Sequence, residues 1–219
     1  MVGNTLGSDE LPDWRTAVQE VMREATEREI LNRYGSMAVS FNYRWEHVTS
    51  VVNLAKKLAE LTGADLEVVE AAAWLHDIRK ESGNMHAIEG AEFAATFLKG
   101  TDFPPQKIER VAQAIREHMG LWREEPLENL EDMVLWDADK LAKIGLTAVF
   151  HWTGGSLAGN EFRNVQALIE ESRQADWQEK TVKSMHSEPA KRAARRRLYH
   201  YKWLWQALEE ELNGDDLLS

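Results

Sequence analysis

The 219-residue chain contains no cysteine, and that absence removes disulfides, thiolate metal sites, thiol nucleophiles and iron–sulfur clusters together. Any metal must then be held by His, Asp or Glu. Basic charge is in deficit, with 26 Lys and Arg against 37 Asp and Glu and a formal net charge of −11. Such a chain is not expected to attract nucleic acid backbone or anionic lipid broadly, so an anionic substrate needs a local cation. No apolar run approaches the roughly 18 residues that a membrane helix requires, because charged residues interrupt each one. The stretch Met1 to Asp13 lacks the basic patch, apolar run and cleavage site of a secretory signal, and the expected location is the cytoplasm.

Runs of alternating apolar and polar residues are missing too, while apolar residues recur at helical spacing almost throughout. The expected fold is therefore all-α. The nine tryptophans are spread along the chain and read as packing residues, and an exposed Trp on a terminal helix is compatible with a homodimer.

The pattern predicts helices over about 13–33, 45–62, 66–79, 87–98, 105–118, 130–152, 161–186 and 188–212. Gly63 is placed as a C-terminal cap and Asp13 as an N-cap. The segment Thr153 to Gly159, rich in Gly and Ser, is expected to be a loop or hinge. These breaks suggest an N-terminal helical extension over 1–34, a core over 35–152 and a C-terminal helical extension over 153–219 that packs on the core.

Several ionisable residues lie on apolar stripes. His47 leads Val51, Leu54, Ala55 and Leu58, so it points into the core. Asp137 continues the stripe Leu130, Val134, Leu141, Ile144 and Ala148. A buried carboxylate is strongly disfavoured unless it is compensated, and a cation compensates it. Asp139 falls on another face of the same helix, so Asp137 is preferred as a ligand and Asp139 as its support or a substrate contact. His76 and Asp77 are adjacent near a helix C-terminus, about 100° apart around the axis, and reach one ion together. His86 begins a further stripe and His118 ends another, and these two are candidates for a second metal. Such a mixed imidazole and carboxylate set suits Mn, Fe, Co, Ni, Zn or Mg, as one ion or two.

In order and approximate spacing, His47, His76-Asp77 and Asp137 resemble the H…HD…D signature of the HD superfamily of metal-dependent phosphohydrolases. His76-Asp77-Ile78-Arg79-Lys80 is similar to its HDI-small-K run, with Arg79 in place of the small residue. Asp137-Ala138-Asp139-Lys140-Leu141 resembles its DADKL block, and His86 and His118 resemble the extra histidines of binuclear branches. The resemblance covers about Arg44 to Val149. It implies an HD-domain helical bundle with flanking N- and C-terminal helices, and metal-activated water attacking a phosphomonoester or phosphodiester, the substrate being a small phosphorylated molecule such as a nucleotide.

Asp77 would orient the water and Lys80 would pair with the substrate phosphate, with Arg79 and Lys140 as weaker candidates of the same kind. Two other readings keep the site: a dinucleoside polyphosphate hydrolase with a binuclear centre, and a non-catalytic nucleotide-binding sensor. His151, His186 and His200 read as surface or packing residues. The basic stretch Lys191 to Lys202 reads as the solvated side of a helix whose aromatic residues, Tyr199 and Trp203 among them, pack inward.

Overall fold

The structure, a computed structural model, describes residues 10–38, 41–158, 164–174 and 176–218. Among these residues every regular element is helical. The stretch 1–9 of the expected N-terminal extension lies outside the described residues, as does Gly159 of the expected hinge.

Helix α1 (Trp14–Tyr34) begins where Asp13 accepts a hydrogen bond from the Thr16 amide and ends at Gly35, whose φ of 68° is left-handed. Trp14, Val18 and Met22 line its buried face. Helix α2 (Tyr43–Thr62) is capped by Asn42 and stops at Gly63. Helix α3 (Leu66–Leu75) starts at Asp65. Ala71, Ala72 and Ala73 are fully buried there, and their small side chains allow α2 and α5 (Ile108–Glu117) to pack closely on α3. Buried Glu70 accepts from Arg15 at 3.1 Å and from Lys56 at 2.8 Å, tying α1, α2 and α3 together.

Helices α4 (His86–Phe97) and α6 (Leu130–Ala142) complete the central bundle, α4 packing on α5 and α6 on α2. One apolar cluster runs through all of these and takes in Met185, Ala190 and Ala194 from the C-terminal part of the chain.

The single helix expected over 130–152 is divided. Helix α6 ends before Gly145, whose φ is 87°, and α7 (Leu146–Ala158) follows. A Cβ at Gly145 would meet the Arg197 Cβ at 2.8 Å, so glycine serves both the turn and the close approach of the last long helix. The expected loop at 153–159 is helical through Ala158. Its Gly154 lies under the Phe41 ring, 2.8 Å from where a Cβ would stand; this glycine is there for packing and does not break the helix.

The remaining helices are α8 (Val165–Gln174), α9 (Trp177–Lys183) and α10 (Glu188–Asn213), where one helix was expected over 161–186. A second small cluster of Val149, Ile169 and Trp205 joins α7, α8 and α10. On α10 the expected inward face is incomplete, because Tyr199 and Trp203 are 67% and 57% exposed while Trp205 is buried.

Candidate metal centre

Four histidines and aspartates from three parts of the chain converge inside the bundle. His47 comes from the first turns of α2, His76 and Asp77 from the turn that follows α3, and Asp139 from α6; all four are at most 2% exposed. His47 Nε2 lies 3.1 Å from Asp139 Oδ1 and 3.9 Å from Asp77 Oδ2. His76 Nε2 lies 3.6 Å from Asp77 Oδ2 and 3.9 Å from Asp139 Oδ1. His47, His76 and Asp77 offer ligand atoms close enough to share one ion.

The fit to a cation rests on unsatisfied atoms. His47 Nε2 and His76 Nε2 are buried and make no hydrogen bond, and beside them stands Asp139 Oδ1, which the Lys143 ammonium approaches to 2.8 Å. Buried polar atoms left without partners cost about 1–3 kcal/mol each, and here they face a common point. The His76 imidazole is also set up as a donor of a lone pair. The Nδ1 of His76 faces the Ala73 carbonyl at 2.7 Å, fixing its proton there and leaving Nε2 free. His86 and His118 repeat the device, with Nδ1 against the Gly83 carbonyl at 2.6 Å and the Ile115 carbonyl at 2.5 Å.

Charge states agree with this use, since metal binding needs neutral imidazoles and ionised carboxylates. Burial pushes the His76 imidazole down to about 3 and lowers His47 as well. Burial alone would raise Asp77, but Arg44, His76, His118 and Lys80 outweigh it and hold its carboxyl well below the usual range. Asp139 is held low against its burial by Lys140, Lys143 and His47.

The carboxylate that faces His47 is not the one expected. Asp137 Oδ1 accepts the His186 amide at 2.8 Å, and Oδ2 accepts the Ser187 amide at 2.8 Å and its hydroxyl at 2.7 Å. Its carboxylate ties α6 to the start of α10, where Ser187 is the N-cap. Asp139 takes the place facing His47. The stripe argument failed because α6 is buried nearly all round, from Val134 through Ala142, so an apolar face does not single out one carboxylate.

Asp77 also faces a second group. Its Oδ1 is 3.7 Å from both His86 Nε2 and His118 Nε2, which stand 3.3 Å apart. Those three residues form a second candidate ligand group. Lys80 already brings positive charge there, its Nζ 3.1 Å from Asp77 Oδ1 and 3.2 Å from His86 Nε2.

The weaker candidates fall elsewhere. The Arg79 guanidinium lies over the Phe93 ring, 4.6 Å from its centroid, and near Glu81. Lys140 is fully buried; it donates to the His118 carbonyl at 2.7 Å and to Asp139, and burial lowers it to about 8. It cannot meet a substrate, and its role is to hold Asp139 and the end of α5. His186 accepts the Leu127 amide at 2.9 Å, and His151 packs beside Tyr43 and Phe41.

Sequence reasoning missed Arg44. Three residues before His47, it donates from Nη1 to Asp77 Oδ2 at 2.5 Å and from Nε to Glu29 Oε2 at 3.0 Å. Asp77 and Glu29 raise its pKa against the effect of burial. Its position one turn before His47 was the available signal.

Residues 44–144 match the model of the HD domain. Among curated proteins the chain is 31% identical over 128 residues to a tRNA (cytidine(56)-2'-O)-methyltransferase of Thermoplasma volcanium, covering 52% of this chain and 34% of that protein. It is 28% identical over 114 residues to the uncharacterized protein YpgQ of Bacillus subtilis, covering 50% of this chain and 55% of YpgQ. The chain therefore aligns with only part of the curated relatives it matches.

Among solved structures, Bacillus subtilis YpgQ in complex with ADP has a TM-score of 0.61 at 21% identity over 92% of this chain and 97% of that one. A predicted HD superfamily hydrolase of an uncultured Thermotogales bacterium gives 0.60 at 23% identity, covering 91% of each chain. An HD-superfamily hydrolase of Bacillus thuringiensis gives 0.64 at 16% identity, over 91% of this chain and 98% of that one. At these identities the likeness is one of fold. No helix among the described residues is long and apolar enough to cross a membrane.

Proposed function

We propose that this chain is a metal-dependent phosphohydrolase that cleaves a phosphomonoester or phosphodiester of a cytoplasmic nucleotide, with His47, His76, Asp77 and Asp139 holding the ion. The observation that carries this reading is the pair of unpartnered buried imidazole nitrogens, His47 Nε2 and His76 Nε2, gathered with Asp139 Oδ1 around Asp77. A divalent cation held there would polarise a phosphate oxygen and lower the pKa of a water.

The protein's own residues do the rest. Asp77 accepts from the attacking water and orients it. Arg44 and Lys80 flank Asp77 on its two oxygens and supply the local positive charge that a phosphate needs on an acidic protein. The water oxygen forms a bond to phosphorus as the ester P–O bond breaks, and the proton that the water gives up passes through solvent to the leaving oxygen. A nucleotide substrate is supported by the ADP found in YpgQ, which shares the fold.

A binuclear variant of this reading is favoured by the Asp77, His86 and His118 group. The Lys80 ammonium between Asp77 and His86 favours one ion, since it already neutralises that half of the site. The test is a hydrolysis screen over nucleoside mono-, di- and triphosphates, dinucleoside polyphosphates and phosphodiesters, with Mn, Fe, Co, Ni, Zn or Mg added. Metal-dependent release of phosphate or nucleoside from one of these classes is expected. Absence of turnover under every metal would overturn the reading.

A further inference from the structure

The outer face of α10 carries a pattern that the interior does not use. Ala190, Ala194 and Trp205 are the buried residues of this helix. On the opposite side Arg192, Arg196, Tyr199, Trp203, Gln206 and Glu210 are all exposed. They follow one another at spacings of four, three, four, three and four, which keeps them within about 40° of the centre of one helical stripe. This is the spacing by which two helices pack side by side. Tyr199 and Trp203, in the middle of the stripe, are 67% and 57% exposed. Arg192 and Arg196 form no ion pair among the described residues.

Charge is ordered along the stripe. Arginines occupy its N-terminal end and aromatic rings its centre, while Glu210, which accepts from Gln206 at 2.8 Å, stands at its C-terminal end. Such a surface is complementary to itself turned end for end. With a two-fold axis level with Tyr201, Arg192 stands opposite the partner's Glu210, Arg196 opposite the partner's Gln206 and Tyr199 opposite the partner's Trp203, and each pairing occurs twice. The axis then falls near the midpoint of α10 (Glu188–Asn213), so the two helices lie along each other for their full length. Parallel pairing would set arginine against arginine and glutamate against glutamate, like charges that repel.

We propose that the outer face of α10 docks a second copy of this chain, giving an antiparallel C2 homodimer with Tyr199 and Trp203 of both copies at its centre. Tyr, Trp and Arg are the side chains that carry most of the binding energy at such interfaces. A nucleic acid backbone would also answer to the arginines, but it would set phosphate against Glu210 on a chain of net charge −11, and is the poorer fit. The inference is independent of the reaction at the metal centre.

Sedimentation velocity of the full chain over a dilution series tests this, with circular dichroism as the control on folding. Wild type should be dimeric at the concentrated end and dissociate on dilution. Trp203→Ala should weaken the dimer by about a hundredfold, because a central ring is lost from both copies. Arg192→Glu and Glu210→Arg should each weaken it by about tenfold, since both end contacts become like-charged. Mixed in equal amounts, these two variants should form a heterodimer of wild-type affinity, as both contacts are then restored with their signs exchanged. A wild type monomeric at every concentration, a dimer indifferent to Trp203→Ala, or charge variants that do not recover on mixing would overturn the proposal. A monomeric wild type that binds a fluorescent single-stranded oligonucleotide, with binding lost in Arg192→Glu, would overturn it in favour of nucleic acid.

Discussion

Asp137 and Asp139 stand two residues apart on α6 and serve different ends of the molecule: Asp137 receives the amides of His186 and Ser187 at 2.8 Å each, while Asp139 Oδ1 lies 3.1 Å from His47 Nε2. Residues two apart on a helix point about 200° from each other. One aspartate therefore anchors α10 and the other faces the candidate ion.

Asp137→Ala should separate these roles. It leaves two backbone donors and the Ser187 hydroxyl without their acceptor, a loss of about 3 kcal/mol or more. Denaturant unfolding should show that loss, while bound metal per folded protein stays at the wild-type level. A variant as stable as wild type but stripped of metal would exchange the roles of the two aspartates.

Lys80 bears on both rate and stoichiometry. Its ammonium lies between Asp77 and His86, so Lys80→Met should reduce kcat by roughly a hundredfold, the scale of removing one donor from a charge-developing site. The same variant should take up a second equivalent of Mn, because His86, His118 and Asp77 then lose their resident cation. Unchanged kcat together with one equivalent of Mn would show that Lys80 is a surface charge.

Asp132 provides a pH test remote from the candidate ligands. It is buried near the start of α6, and its pKa is raised by burial and by Glu117 and Glu131, against a hydrogen bond from Asn129. A carboxyl whose folded pKa is raised favours the folded state at low pH, and that contribution is lost as pH rises through the folded pKa. Asp132→Asn keeps an acceptor for Asn129 and removes the charge. The variant should melt higher than wild type at pH 7, with the gap closing as pH approaches 4. A gap that widens on acidification would contradict the sign.

Gly145→Ala tests the junction of α6 and α7. With φ at 87° and Arg197 at 2.8 Å from an added Cβ, alanine adds backbone strain and a clash, together about 2 kcal/mol or more. Thermal unfolding should record it, and a neutral result would mean that α10 shifts freely.

The helical class and the convergence of His47, His76, Asp77, His86 and His118 were legible because each sits where period and spacing turn it inward. Asp137 and Asp139 were not separable in this way: α6 is surrounded by other helices, and the stripe that distinguishes faces on a half-exposed helix loses its meaning. The break at Gly145 was hidden in an apolar run, since one glycine reads alike whether it turns the chain or packs beneath a side chain, as Gly154 does. The pairing of Arg44 with Glu29 was hidden for another reason. They are common charged residues 15 positions apart on different helices, and only the packing of α1 against α2 makes them partners.

The most direct test of the account is metal analysis of purified protein reconstituted with Mn, in wild type, His47→Ala and Asp139→Ala, with helicity followed by circular dichroism. Tight binding in wild type is predicted, with its loss in both variants while the helical signal persists. Wild-type metal content in either variant, or no tight binding in the parent protein, would contradict the claim that these buried atoms share an ion.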